Sequence, residues 1–205
     1  MKFIDIHTHN KSEETAYAIF NSNGEPTTGC ASVGIHPWDA DKTSLDMSIF
    51  QDAELIGEIG LDYACTTDRK AQEELFCRQL AVAEERRLPV VIHCVKAFEP
   101  TLKLLLKHKI ERVVFHGFIG SVEQAAKAVE NGYFLSFGCC TERSTKTIKA
   151  LQTTPLSNLF AETDTTPRPI EEAYEMICKI KGCSHEELQV AIEQNYDRLF
   201  STNDK

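Results

Sequence analysis

Short apolar runs recur along this chain, and five of them close on a residue with a metal-binding side chain. Phe3-Ile4-Asp5-Ile6 leads into His7-Thr8-His9, Glu54-Leu55-Ile56-Gly57 into Glu58, and Pro89-Val90-Val91-Ile92 into His93. Arg112-Val113-Val114-Phe115 leads into His116, and Leu159-Phe160-Ala161 into Glu162-Thr163-Asp164. A run of this length, without alternation, is the pattern of a strand buried on both faces of a parallel sheet. Further strands are predicted at residues 16–20, 31–35 and 133–137. Asn21-Ser22-Asn23-Gly24-Glu25-Pro26 is turn chemistry between the first two of these, which suggests a hairpin-like excursion.

From residue 54 onward, strand runs alternate with amphipathic segments of helical length, the signature of βα units. Residues 71–87 place Leu75, Phe76, Leu80 and Ala83 near one face, and Pro89 ends that helix. Ser121-x-x-Gln124 and Ser184-x-x-Glu187 are capping boxes that open two later helices. Gly132 stops the first of these; Leu188, Ala191, Ile192, Leu199 and Phe200 form the stripe of the second. Residues 169–181 make another helix. The fold class expected is α/β, a TIM-type (β/α) barrel, in which chemistry collects where strands end. Six ligand-type residues at five strand ends are then expected to converge. At 205 residues the chain is shorter than the roughly 250 of a regular barrel, so an irregular barrel, or one βα unit reduced near the N-terminus, is expected. No repeat or linker divides residues 1–205, which read as a single domain.

Composition narrows the function classes. The formal charge of −9 disfavours loose electrostatic binding to nucleic acid, but not an enzyme that meets phosphate through metal ions. No apolar stretch approaches the ~20 residues of a membrane span, and the N-terminus has no basic, signal-like region. A cytoplasmic protein without membrane partners is expected. The eight cysteines make no C-x-x-C pair or zinc-finger spacing and read as free thiols of a reducing compartment.

The candidate ligands differ in what else they could be. His7 and His9 lie two apart on a strand and point to one side, so they can bind one ion together; Asp5 shares their parity and can orient them. Glu58, between Gly57 and Ile59, is costly to bury unless paired or metal-bound, and its two oxygens can bridge two ions; a loop ion pair is the plainer reading. His93 and His116 end successive runs and suit a second ion. His36, in Gly34-Ile35-His36-Pro37, either supports the site or structures a turn, and Asp62 either assists or holds its loop. Asp164 can bind metal and take the proton of an attacking water, or cap the following helix; Glu162 shares its parity. His108 and His185 read as surface residues. Lys96 and Arg143 are weaker candidates for phosphate contacts.

Taken in order, Asp5-x-His7-x-His9, Gly34-Ile35-His36-Pro37, Gly57-Glu58-Ile59-Gly60-Leu61-Asp62-Tyr63, Pro89-Val90-Val91-Ile92-His93-Cys94 and Glu162-Thr163-Asp164 resemble the TatD-type metal-dependent deoxyribonucleases. Gln194-Asn195-Tyr196-Asp197-Arg198-Leu199-Phe200 resembles that family's closing signature. The resemblance implies an amidohydrolase-like barrel with two divalent ions (magnesium, manganese, zinc, nickel or iron) and hydrolysis of phosphodiesters, as in a 3′ exonuclease on DNA. It assigns His7, His9 and Asp164 to one ion, His93 and His116 to the other, and Glu58 to both. The chain differs from the family pattern in places. Only about 25 residues separate His9 from Gly34, Trp38 stands where a second histidine is frequent, Gly117 follows His116, and Thr165-Thr166-Pro167 follows Asp164. These segments shape the substrate face. A hydrolase of small-molecule amides, esters, lactones or phosphoesters is therefore the rival reading, and a non-catalytic binding barrel the third.

Overall fold

The computed structural model describes residues 3–10, 16–21, 31–42 and 46–201. In chain order its main elements are β1 (Phe3–Thr8), β2 (Ala16–Asn21), β3 (Ala31–Val33), β4 (Leu55–Asp62), α1 (Arg69–Arg86), β5 (Val90–Val95), α2 (Phe98–Lys107) and β6 (Val113–Phe115). They continue with α3 (Val122–Glu130), β7 (Phe134–Phe137), α4 (Thr145–Thr153), β8 (Leu159–Ala161), α5 (Ile170–Lys181) and α6 (His185–Phe200). The chain forms two compact units, one of Met1–Ala18 with Gly117–Lys205 and the other of Ile19–His116.

In the Ile19–His116 unit, β2 through β6 lie side by side in chain order, every pair parallel. All eight residues of β4 are buried, as a strand covered on both faces requires. Helix α1 opens at Asp68, whose carboxylate accepts the Ala71 N–H at 2.9 Å, and closes at Arg87 in the left-handed region. Its predicted face, Leu75, Phe76, Leu80 and Ala83, is buried. Each fully buried large side chain of this kind contributes about 1.5–3 kcal/mol. Two buried glutamines on α1 complete the backbone of neighbouring segments. Gln72 accepts the Asp62 N–H at 2.8 Å and donates to the Asp62 carbonyl at 2.9 Å. Gln79 does the same for Ile35, at 2.7 and 3.0 Å.

The sequence expectation of a hairpin at β2 and β3 is corrected. Phe20 pairs with Ala31 and Asn21 with Ser32 in parallel register. Turn residues mark a change of direction, but β3 is also paired parallel to β4, and it is this sheet that sets strand direction. The connecting residues 22–30 lie outside the described ones. The shortened N-terminal stretch therefore retains its strands, and the described residues before β4 contain no α-helix.

In the other unit, β7 and β8 pair in parallel, and Thr8 at the end of β1 bridges Asp164 beyond β8. Helices α3 and α6 open on the two predicted capping boxes, and Gly132 and Gly182 follow α3 and α5 with positive φ. The C-terminal signature is structural in effect. Asn195, buried on α6, donates to the Leu156 and Leu159 carbonyls at 2.8 and 2.9 Å, and Arg198 donates to the Ser157 carbonyl at 2.7 Å, which pins the approach to β8. Tyr174 on α5 is buried, and its hydroxyl accepts the Ile4 N–H and donates to the Ile4 carbonyl, both at 3.1 Å.

No helix among the described residues is long and apolar enough to cross a membrane. Their seven cysteines are free, and Cys30 lies outside them. Tyr174→Phe keeps the ring and strands two buried backbone groups of β1. It is expected to lower stability by about 1–3 kcal/mol for each group left unpaired. In urea unfolding the midpoint falls while the m-value is unchanged.

Candidate metal centre

Each unit carries its own cluster of ligand-type side chains. In the Ile19–His116 unit the centre of the cluster is Glu58, which lies within β4 rather than at its end. The register explains this: Ile56 pairs with Val90 but Ile59 with Ile92, so β4 advances three residues while β5 advances two. The extra residue falls at Gly57–Glu58, a bulge of the kind that re-aims a side chain. The apolar run stops at Glu58 in sequence, but the strand continues to Asp62 because Gly60 permits close backbone approach. Gly60 has φ +144°, and a Cβ there would lie 2.0 Å from the His93 carbonyl oxygen. His93 likewise lies inside its strand, β5, whereas His116 directly follows β6.

Three imidazoles converge on one oxygen of Glu58. His116 Nε2 lies 2.6 Å from Oε1, His93 Nδ1 2.7 Å and His36 Nε2 3.3 Å. Glu58 is only 3% exposed. Its other oxygen accepts from the Asn21 amide at 3.4 Å. His116 and His93 lie at hydrogen-bond distance from Oε1, closer than the about 3–3.5 Å of donors that share an ion, but imidazole nitrogens gathered on a carboxylate are the ligand types of a first-row divalent cation. Among the described residues, His36, Glu58 and His93 group closely enough to hold an ion.

Asp62 orients the cluster and also holds its loop. Oδ2 lies 3.2 Å from His93 Nε2 and accepts the Trp38 indole N–H at 2.7 Å. Oδ1 accepts the Ala64 and Cys65 N–H groups at 2.8 and 3.2 Å. A ring held by a carboxylate at one nitrogen and presenting the other is the arrangement of an oriented metal-ligating histidine. Burial pushes the Asp62 carboxyl up, but the Trp38, Ala64 and His93 donors outweigh it and leave it below its ordinary value. His36 also has two tasks, since its Nδ1 accepts the Trp38 backbone N–H at 3.2 Å and starts a 3-10 turn over Pro37–Asp39. Burial pushes the thiol of Cys94, beside His93, up to about 11.

In the other unit, His7 within β1 and His9 just beyond it face Asp164. Their Nε2 atoms lie 3.9 and 3.6 Å from Asp164 Oδ1. Both spacings are wider than the about 3–3.5 Å of donors that share an ion, although the residue types are those of metal ligands. Asp164 has φ +52° and is held by ladder-like bonds, its N–H to the His7 carbonyl at 3.0 Å and its carbonyl to the His9 N–H at 2.9 Å. It does not cap α5, whose N-cap is Pro169. Asp5 ties down the neighbouring residue: the Thr163 hydroxyl donates to Oδ2 at 2.6 Å and the Thr163 N–H to Oδ1 at 3.0 Å. Burial raises the Asp5 carboxyl to about 6, the Thr163 donors offsetting part of the rise. Glu162 is buried and bonded to the Ser136 hydroxyl.

Lys96 and Arg143 are exposed. His185 is exposed, whereas His108 is half-buried with Nδ1 3.1 Å from Glu84 Oε2, so the surface reading of His108 is corrected. The α1–α2 side-chain pairing responsible is invisible in local polarity. Sequence reasoning missed Asn21, Gln72, Thr163 and the tie from Trp38 to Asp62. Asn21 had a signal, since it too closes an apolar run; its turn-like neighbours obscured it.

Among known proteins, the family model described as TatD related DNase matches residues 2–201. The metal-dependent hydrolase YabD of Bacillus subtilis, itself uncharacterized, is 33% identical over 198 residues, which cover 84% of this chain and 78% of that one. The human deoxyribonuclease TATDN3 is 34% identical over 161 residues, which cover 71% of this chain but only 59% of the human protein. The crystal structure of YJJV, a TatD homolog from Escherichia coli K12, superposes with a TM-score of 0.83 at 23% identity over 98% of both chains. The fold class is the TIM-type (β/α) barrel that the strand pattern predicted.

Gly60→Ala tests how the β4–β5 pairing holds the histidine cluster. The added methyl meets backbone at a strained φ, so a loss of about 2–5 kcal/mol is expected. A thermal melt of the variant checks this, and a Tm equal to that of the wild type would contradict the close approach.

Proposed function

Because the chain belongs to the TatD-related DNase family, we propose that it is a divalent-metal-dependent hydrolase of phosphodiesters, acting as a 3′ exonuclease on DNA. The observation that carries this reading is the convergence of His36, His93 and His116 on one buried oxygen of Glu58. A divalent cation among these groups would further offset the cost of burying the carboxylate. In this reading His93, His116 and Glu58 hold one ion, with His36 beside them, and His7, His9 and Asp164 hold the other. Bound divalent ions supply Lewis acidity, acidifying a water and polarising a phosphoryl oxygen.

The chain's own residues do the remaining work. Asp164, whose side chain is 39% exposed, orients the attacking water and accepts its proton. Glu58 fixes the imidazoles that face it. Asp62 holds the His93 ring, and Asp5 holds the segment that carries Asp164 through Thr163.

The net charge of −9 favours a second reading, in which the same centre hydrolyses a small-molecule amide, ester, lactone or phosphoester. Metal analysis and hydrolysis assays separate the two. The wild type is expected to retain divalent metal and shorten DNA from its 3′ end. His93→Ala is expected to lose bound metal and at least about a hundredfold in kcat/KM, the upper range for disturbing even the outer partners of a metal site. Asp164→Asn should fall comparably. A wild type that holds two ions but leaves DNA intact defeats the nuclease assignment, and a lactonase or amidase rate above any phosphodiesterase rate decides for the second reading.

A further inference from the structure

Trp38 is the sole tryptophan of the chain, and the residue is 52% exposed, unusual for one of this size. It does not lie loose on the surface. Its indole N–H is anchored on the buried Asp62 carboxylate at 2.7 Å, and its backbone carbonyl accepts the Thr67 hydroxyl at 3.0 Å and the Lys42 ammonium at 3.1 Å. Its ring contacts are His36, centroids 4.6 Å apart at 79°, and His93, 6.1 Å apart at 75°. Both are nearly perpendicular, so neither imidazole stacks on the indole. The result is a fixed, half-exposed aromatic ring beside two histidines of the Glu58 cluster.

We propose that Trp38 is a stacking platform for a nucleobase, positioned so that the phosphate of the same nucleotide meets the Glu58 cluster. This rests on the phosphodiesterase reading and names the part of the substrate recognised. Every base has a π face, so an aromatic platform binds nucleotides with little sequence preference. It also suits an acidic protein, because stacking adds affinity without added positive charge.

Trp38 fluorescence reports binding directly. With magnesium-loaded wild type, 2′-deoxyadenosine 5′-monophosphate is expected to quench the emission and to bind about ten times more tightly than 2-deoxyribose 5-phosphate, which lacks the base. By calorimetry, Trp38→Ala should lose that preference, whereas Trp38→Phe should keep most of it, because phenylalanine retains a ring but not the N–H bonded to Asp62. Equal affinities in the wild type, or no binding of either compound, overturn the platform. A preference lost equally in Trp38→Phe and Trp38→Ala also overturns it and leaves Trp38 as a positioning residue for Asp62. If the wild type cleaves DNA yet binds both compounds equally, the platform fails and the nuclease reading stands. If the base preference depends on the ring but no phosphodiester is cleaved, the nuclease reading fails and the platform stands.

Discussion

A carboxylate held at 3% exposure costs several kcal/mol unless its charge is met, and Glu58 meets that condition with imidazoles rather than with arginine or lysine. His36, His93 and His116 surround one oxygen, and the Asn21 amide donates to the other. Imidazole differs from the basic side chains in offering a lone pair as readily as a proton. Side chains that can meet a buried carboxylate through N–H can therefore also turn a lone pair to a cation. Much of the Ile19–His116 unit serves this constraint: the bulge at Gly57–Glu58 aims the carboxylate, Gly60 lets β5 come close, and Asp62 orients His93.

Rigidity around the clusters comes from polar side chains that finish backbone ladders. Gln72 and Gln79 serve Asp62 and Ile35 from α1, Tyr174 serves Ile4 from α5, and Asn195 serves the approach to β8 from α6. A short strand cannot satisfy its own ends, and a buried peptide group left unpaired is expensive. Using fixed amides and a phenol for this task holds the strand ends where the ligands sit. The same economy appears at Thr163, which joins the buried Asp5 to the segment bearing Asp164.

The legible and illegible parts of the chain divide along physical lines. The capping boxes at Ser121 and Ser184 were readable because a cap is made by residues three apart. The strands were readable because burial on both faces leaves an unbroken apolar run. The direction of β2 against β3 was not, because turn residues such as Asn23-Gly24 allow a reversal without requiring one, and the parallel sheet decided it. Placing Glu58 at a strand end followed from reading the run alone. Whether a strand ends or bulges depends on what its neighbour offers, and β5 continues to Val95.

By itself, then, the sequence determined which residues have metal-binding chemistry, which segments are buried strands, and where the capped helices begin. Those properties belong to single side chains or to neighbours a few residues apart. Only the tertiary structure decided that His36 shares an oxygen of Glu58 with His93 and His116, that Asn21 is a partner of that carboxylate rather than a turn residue, and that Asp62 grips both His93 and the indole of Trp38. Each of these joins residues distant in the chain, and strand register rather than sequence spacing sets the distance between them.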